Sequence, residues 1–289
     1  FQNLNRGKRS LTLDLRNEES QQIIKDLVSV CDVVLENFTP RVMARFGLDY
    51  ASLKAYKPDL IMVSNTGYGH SGPWRNFGAM ASALEPTHGT GAFMGYMEAG
   101  PEGRLVEGDV PNKMGNSYSD FLASWTALGA LMASLLRRSR TGQGQWIDLA
   151  MYQTGTSVIG TGLLDFAFND RRTQRIGNRH PFLSPHGVYR CQGHDQWVAI
   201  AVRNDADWVA ICRAIGQPEL TSDARFADPI ARRQHQETLD EIISAWTSGQ
   251  TSYQVTETLQ TAGLPAGAVL TAKQALTDPQ YNERRFFET

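Results

Sequence analysis

Between residues 11 and 64 the chain switches repeatedly between a two-residue and a helical period, and this alternation limits the fold more than any other feature. Leu11-Thr12-Leu13-Asp14-Leu15 alternates as a strand does. Asn17 then reads as a helix cap, with Glu18 and Glu19 in the first turn, where carboxylates complement the dipole. Ile23, Ile24, Leu27 and Val28 share one helical face. Asp32-Val33-Val34-Leu35 is a short buried strand, a second helical stretch lies between Pro40 and Tyr56, and Leu60-Ile61-Met62-Val63 is a third strand. Apolar strands separated by helices imply a parallel sheet, because parallel neighbours need crossovers and the crossovers cover both faces. The expected class is α/β.

From Asn65 to Ser119 the texture changes. Glycine recurs at 67, 69, 72, 78, 89, 91, 95, 100, 103, 108 and 115, with few periodic runs. A Gly-rich stretch of this length inside a globular chain points to a functional surface. A helix follows from Phe121 to Arg138, with Leu122, Trp125, Leu128, Leu131, Met132 and Leu135 on adjoining faces. Arg137, Arg138 and Arg140 close it, and Gly142 and Gly144 lie beyond, as cations and glycine do at helix ends. Asp148 to Phe168 is expected as another mostly apolar helix.

A new section begins near Asn178. Val188-Tyr189-Arg190-Cys191 and residues 197–202 flank Gln192-Gly193-His194-Asp195-Gln196 as a hairpin. Helices are expected at about 206–215, 232–247 and 252–261, and a strand at Ala268-Val269-Leu270, which makes a smaller α+β unit.

The chain has 289 residues, enough for one large domain or two ordinary ones. A formal net charge of -2 gives no electrostatic case for nucleic acid or an anionic membrane as partner. Cys31, Cys191 and Cys212 form no CxxC pair, and an odd count argues against a disulfide framework, so a reducing, cytoplasmic setting is expected. The apolar stretches read as too short or too interrupted to span a bilayer. Phe1-Gln2-Asn3-Leu4-Asn5-Arg6 lacks a start methionine and an apolar leader, as if the chain opened mid-sequence.

Several motifs fail on inspection. Gly89-Thr90-Gly91 with Gly95 follows no strand, so it is no dinucleotide fingerprint. Gly7-Lys8-Arg9 lacks the upstream glycine and the following hydroxyl of a phosphate loop. Gly69-His70-Ser71-Gly72 is one residue short of a nucleophile elbow. His180 and His186 share no helical face, and no carboxylate completes a ligand set, so no metal is expected.

Asp120 lies where the glycine-rich surface meets the long helix. A carboxylate there is stabilised as an anion by the dipole, and it is either a plain cap or a nucleophile toward an activated acyl compound. Asn37-Phe38 follows a strand end, where ligands of parallel sheets bind, and is equally explained as a turn with a core phenylalanine. Arg6, Lys8 and Arg9 either meet phosphates or form a solvated face. Trp74, Ala79, Met80, His88, Phe93, Met94 and Tyr96 line an acyl pocket or belong to the core.

The same residues resemble a known family. Asn5-Arg6-Gly7-Lys8-Arg9-Ser10 with Leu13-Asp14-Leu15 is similar to the NRGKRS…LDL segment of the family III (CaiB/BaiF) CoA-transferases. Glu36-Asn37-Phe38-Thr39-Pro40 resembles that family's ENF-x-P. Gly69-His70-Ser71-Gly72-Pro73, Thr141-Gly142-Gln143-Gly144-Gln145, Gly177-Asn178, the run 262–267 and Asp278-Pro279-Gln280 follow in the family's order. Each pattern is weak alone, but together they cover almost the whole chain.

The resemblance implies that Asp120 is the catalytic aspartate and that Leu13, Arg16, Asn37, Phe38 and Arg45 contact coenzyme A, the two arginines holding phosphates. It implies attack of Asp120 on an acyl-CoA thioester, a mixed anhydride, an aspartyl-CoA thioester, and transfer to an acceptor carboxylate. Backbone amides of the glycine-rich surface would stabilise the oxyanions. No permanently bound cofactor or metal is needed; CoA and acyl-CoA are substrates. The implied fold is a Rossmann-like large domain at 1–176, a small α+β domain at 177–275 and the start of a return segment at 276–289, assembled as an interlocked homodimer. The family's opening strand with its AGP-type loop and its closing segment lie outside this sequence, and without them the pocket and sheet would be incomplete. The family's glycine-rich flap is replaced by Arg179-His180-Pro181-Phe182-Leu183-Ser184. An α-methylacyl-CoA racemase shares this fold but needs a histidine base where Phe77-Gly78-Ala79-Met80 has alanine, His88 being displaced. A non-catalytic CoA-binding subunit is the third expectation.

Overall fold

The computed structural model describes residues 4–99, 105–108, 110–112, 114 and 118–287; glycines 100, 103 and 115 of the glycine-rich stretch lie outside them, as do residues 1–3. The chain divides into two units, one through Arg175 and one from Ile176.

In the first unit, helix α1 (Glu18–Val30) leads into strand β1 (Val33–Glu36), and Asn17 caps it by accepting from the Glu19 amide at 2.9 Å. Two short helices, α2 (Arg41–Arg45) and α3 (Tyr50–Lys54), precede strand β2 (Ile61–Thr66). Helix α4 (Ala81–Thr87) follows, then an antiparallel pair β3 (Met97–Ala99) and β4 (Leu105–Glu107), the long helix α5 (Tyr118–Thr141), strand β5 (Gln145–Ala150), and helices α6 (Met151–Val158) and α7 (Gly160–Asn169). Strands β1, β2 and β5 pair parallel in that order, with Val33 opposite Ile61 and Ile61 opposite Gln145. All six residues of the middle strand β2 are buried, as a strand covered on both faces requires. Val28, Met43, Leu48, Leu53, Leu60 and Met62 pack on one side of it as a core.

Four expectations are corrected here. Leu11–Leu15 is not a strand: it has no ladder partner among the described residues, and Leu11 is exposed. The stretch 40–56 is two helices, because Gly47 turns left-handed (φ +62°) and Asp49 starts a new cap on the Ser52 amide. Residues 148–150 are strand rather than helix, since they complete the ladder to β2 before α6 begins. Finally, α5 has 24 residues, long and apolar enough by length and composition to cross a bilayer, so its apolar run is not too short as the sequence suggested.

That helix buries its small side chains. Its buried residues are Ser119, Ala123, Ala127 and Ser134, while Trp125, Leu128, Met132 and Leu136 are exposed. Small side chains let α5 approach β2, β5 and α6 closely, and the bulky ones are left outward. The turn after α5 is equally close. A Cβ on Gly144 would lie 2.0 Å from the Leu60 carbonyl oxygen, so only glycine passes beneath the start of β2.

The second unit builds an antiparallel sheet of β6 (His186–Arg190), β7 (Trp197–Ala201) and, later in the chain, β8 (Ala266–Ala268). Between them run α8 (Asp205–Ala214), α9 (Pro229–Gln234), α10 (Gln236–Thr247) and α11 (Ser252–Thr261); α12 (Ala272–Thr277) and α13 (Pro279–Glu283) follow. The last strand falls two residues before its expected place because Ala266 pairs with Ile200 of β7. The expected helix 232–247 is interrupted at His235. Ile200, Ile211, Phe226, Leu239, Ile243 and Leu259 anchor this unit's own core.

Candidate active site

Asp120 lies in the first turn of α5, and a contact from α4 sets where that turn starts. The Tyr118 amide is one of the helix's orphan donors, and it donates to Glu85 Oε1 at 2.9 Å. Glu85 is 4% exposed. Its other oxygen, the Ser119 hydroxyl and His88 Nε2 are all buried without a hydrogen-bond partner among the described residues. Asp120 is therefore two residues inside the helix and not its cap.

The electrostatics also depart from the sequence reading, which expected the dipole to favour the Asp120 anion. Burial raises the Asp120 carboxyl above the ordinary carboxylate range, and the Glu85 charge raises it further. Desolvation and a like charge both disfavour the anion here.

His88 belongs to the core. It is 2% exposed, and a Cβ on Gly155 would lie 2.2 Å from its ring. Nδ1 lies 3.4 Å from the Thr90 hydroxyl. Burial lowers its pKa, opposed by Glu85, which favours the neutral ring. A histidine so enclosed offers no base to a substrate, which removes the feature that a racemase would need.

A second group of polar residues gathers at the carboxyl ends of β1, β2 and β5, where parallel sheets bind ligands. Glu36 is 5% exposed; one of its oxygens accepts from the Phe38 amide at 2.8 Å, and the other lies 3.8 Å from His70 Nε2. The His70 amide donates to both Asp148 oxygens at 3.1 Å, and the Trp146 indole donates to Ser64 at 3.0 Å. A cavity of about 340 Å³ opens beside Gly69, with Tyr68, Trp74 and Tyr152 forming an aromatic wall.

The expected CoA contacts distribute as follows. Asn37 and Phe38 are exposed directly after β1, and Arg45 is exposed at the end of α2 with its guanidinium 5.9 Å from the Phe46 ring centre. Leu13 is half-buried ahead of α1. Arg16 is turned to Asp14, Nε and Nη2 each donating at 2.9 Å to its carboxylate. No hydrogen bond or ion pair joins Arg16, Arg45 and Asp120 among the described residues. In the second unit, the turn at 180–183 is held by His180, whose Nδ1 accepts from the Phe182 and Leu183 amides. Among the described residues no three His, Cys, Asp or Glu side chains are grouped to hold a metal ion.

Glu85, Tyr118 and the His70–Asp148 contact were not anticipated. The one available signal was a charged residue on a short apolar segment, three positions before His88.

Comparison with known proteins gives this arrangement its context. The sequence model of CoA-transferase family III matches residues 1–289. The chain is 36% identical over 283 residues to a succinyl-CoA–D-citramalate CoA-transferase of Chloroflexus aurantiacus, covering 98% of this chain and 67% of that protein. It is 31% identical to a succinate–glutarate CoA-transferase of Agrobacterium fabrum, covering 97% of this chain and 67% of the relative. Its backbone matches the crystal structure of a CaiB/BaiF family protein from Brucella suis with a TM-score of 0.84 at 32% identity, over 97% of this chain and 71% of the other. The chain thus spans about two thirds of these relatives. Motif order, backbone and whole-length sequence agree, and the chain belongs to CoA-transferase family III, a family of transferase enzymes.

Proposed function

We propose that this chain moves coenzyme A from an acyl-CoA donor to a carboxylic acid, with Asp120 as nucleophile. An Asp120 oxygen attacks the thioester carbonyl, the C–S bond breaks, and CoA departs as thiolate from a mixed anhydride. The thiolate attacks the aspartyl carbonyl, releasing the donor acid as carboxylate and leaving an aspartyl-CoA thioester. The acceptor carboxylate attacks that thioester and expels the thiolate. The thiolate then attacks the acceptor carbonyl, which frees the new acyl-CoA and restores Asp120. Splitting one transfer into acyl exchanges of this kind is what covalent catalysis achieves.

The observation that carries the reading is the placement of a half-buried Asp120 in the first turn of α5, which the buried Glu85 anchors through the Tyr118 amide; burial and the Glu85 charge raise its carboxyl there. A more basic carboxylate is a better nucleophile toward a carbonyl. Leu13, Arg16, Asn37, Phe38 and Arg45 are the proposed CoA contacts. Arg16 would exchange Asp14 for phosphate, and an ion pair this exposed is weak enough to yield. The two relatives are named for succinate or its CoA ester paired with D-citramalate or glutarate, so short dicarboxylic acids are the proposed substrates. Trp125 at 70% and Phe168 at 80% exposure, with Met132 and Leu136, support a second copy of the chain covering α5 and α7.

The test is intact mass after incubation with succinyl-, glutaryl-, acetyl- and oxalyl-CoA. An acyl- or CoA-sized adduct on the parent chain and none on Asp120→Ala supports the reading. No adduct, with deuterium entering the acyl α-carbon in heavy water, would replace it with proton-transfer chemistry.

A further inference from the structure

We infer that Glu85 is a positioning residue for Asp120: it sets where α5 begins, and its buried carboxylate favours acylated Asp120 over the free carboxylate. This rests on Asp120 being the nucleophile.

The geometry separates two roles. Glu85 Oε1 holds the Tyr118 amide at 2.9 Å and so fixes the register of the turn that carries Asp120. Oε2 is buried and has no partner among the described residues. Holding an amide requires only an acceptor oxygen, which glutamine would supply without a charge. A buried carboxylate with an unsatisfied oxygen is costly, and capping alone gives no reason for it.

The charge acquires a reason through the chemistry of Asp120. Acylation converts Asp120 from an anion to a neutral anhydride or thioester, and the negative charge leaves on the thiolate or the released acid. Like-charge repulsion from Glu85 therefore raises the free carboxylate and not the acylated form, which is differential stabilisation in the direction of reaction. The upward shift of the Asp120 carboxyl, owed first to burial and then to Glu85, agrees with this. Other titratable groups on the described elements packed around the pair are His88 at the end of α4, Tyr118 on α5 with Arg137, Arg138 and Arg140 at that helix's far end, Tyr152 on α6 and Asp148 on β5. Burial lowers the His88 pKa, Asp148 accepts from the His70 amide, and among the described residues Glu85 is the charge that bears on Asp120.

The experiment compares the full chain with Glu85→Gln, which keeps an acceptor for Tyr118 but no charge. The rate of adduct formation with the four CoA esters is read by intact mass between about pH 4 and pH 8. Because Asp120 is raised, the acid limb of the parent should lie above that of an ordinary carboxylate. In Glu85→Gln the limb should move to lower pH and the plateau rate should fall by roughly three- to tenfold. A purely structural Glu85 would leave the limb where it is, and that result overturns the inference. A parent limb at the ordinary carboxylate value overturns it without recourse to any variant. An adduct that persists on Asp120→Ala, or none on the parent with any ester, overturns the Asp120 reading and this inference together. An unmoved limb with an Asp120-dependent adduct overturns this inference alone.

Discussion

Arg138 grips Asp32 across 106 residues, Nη2 donating to its carboxylate at 2.7 Å and Nη1 to its backbone oxygen at 3.0 Å. A longer bond of 3.4 Å reaches the Asp59 carbonyl. Asp32 and Asp59 lie just before the strands β1 and β2, so one guanidinium ties the C-terminal end of α5 to the near edge of the sheet. With Tyr118 held by Glu85 at the other end, the helix that carries Asp120 is fastened at both termini. Arg138→Met should lower the stability of the protein by about 1–3 kcal/mol in urea denaturation. Arg138→Lys should recover little of this, because one ammonium cannot span carboxylate and carbonyl as the planar fork does.

The two glycines after α5 should respond differently to alanine. Gly142 is left-handed (φ +70°) with open space around its missing side chain, so the substitution meets only backbone strain, about 1 kcal/mol. At Gly144 a methyl would lie 2.0 Å from the Leu60 oxygen and 2.4 Å from the Asp59 carbonyl carbon, and neither backbone can yield. Gly144→Ala should cost roughly 3 kcal/mol or more, and paired melting curves of the two variants would show the gap.

Tyr189 and Asp240 make a pH-dependent contact in the second unit. The buried Tyr189 hydroxyl donates to Asp240 at 2.9 Å, and Arg179 reaches the other oxygen at 3.1 Å. Burial raises the Asp240 carboxyl, while Tyr189 and Arg179 pull it back by favouring the anion. A carboxyl raised on folding stabilises the folded state below its unfolded pKa, and that benefit is lost as pH rises through the folded value. Removing the hydroxyl deprives the anion of a donor, so Tyr189→Phe should destabilise by about 1–2 kcal/mol above the folded Asp240 pKa and by less below it. Equal losses in denaturant titrations on both sides of that pH would contradict the assignment.

The three cysteines should separate by reactivity. Burial pushes the Cys212 thiol up to about 12 and raises Cys191 as well, and both are enclosed, whereas Cys31 is half-buried at the end of α1. A disulfide reagent at about pH 8 should modify one thiol promptly and the other two only in denaturant. Mapping the modified peptide should identify Cys31.

Much of the α/β layout could be read from local pattern. The aliphatic runs at 33–35 and 61–63 became the parallel strands, although only the second is buried on both faces and Leu35 of the first is exposed; Asn17 with Glu18 and Glu19 opened α1, because capping is a property of a few adjacent residues. Asp120 was legible only in part: the sequence put it just ahead of the long helix, whereas α5 begins at Tyr118 and carries Asp120 in its first turn. The tertiary structure decided what depends on a distant neighbour. Leu11–Leu15 alternates like a strand but has no ladder partner among the described residues, and residues 148–150 join β5 only because β2 lies alongside. Which face of α5 is buried depended on how closely the sheet approaches, which favoured Ala123, Ala127 and Ser134 over Trp125 and Met132. Glu85 and Asp120 are 35 positions apart, and only the packing of α4 on α5 brings one charge to bear on the other, because electrostatic coupling follows distance in space and not along the chain.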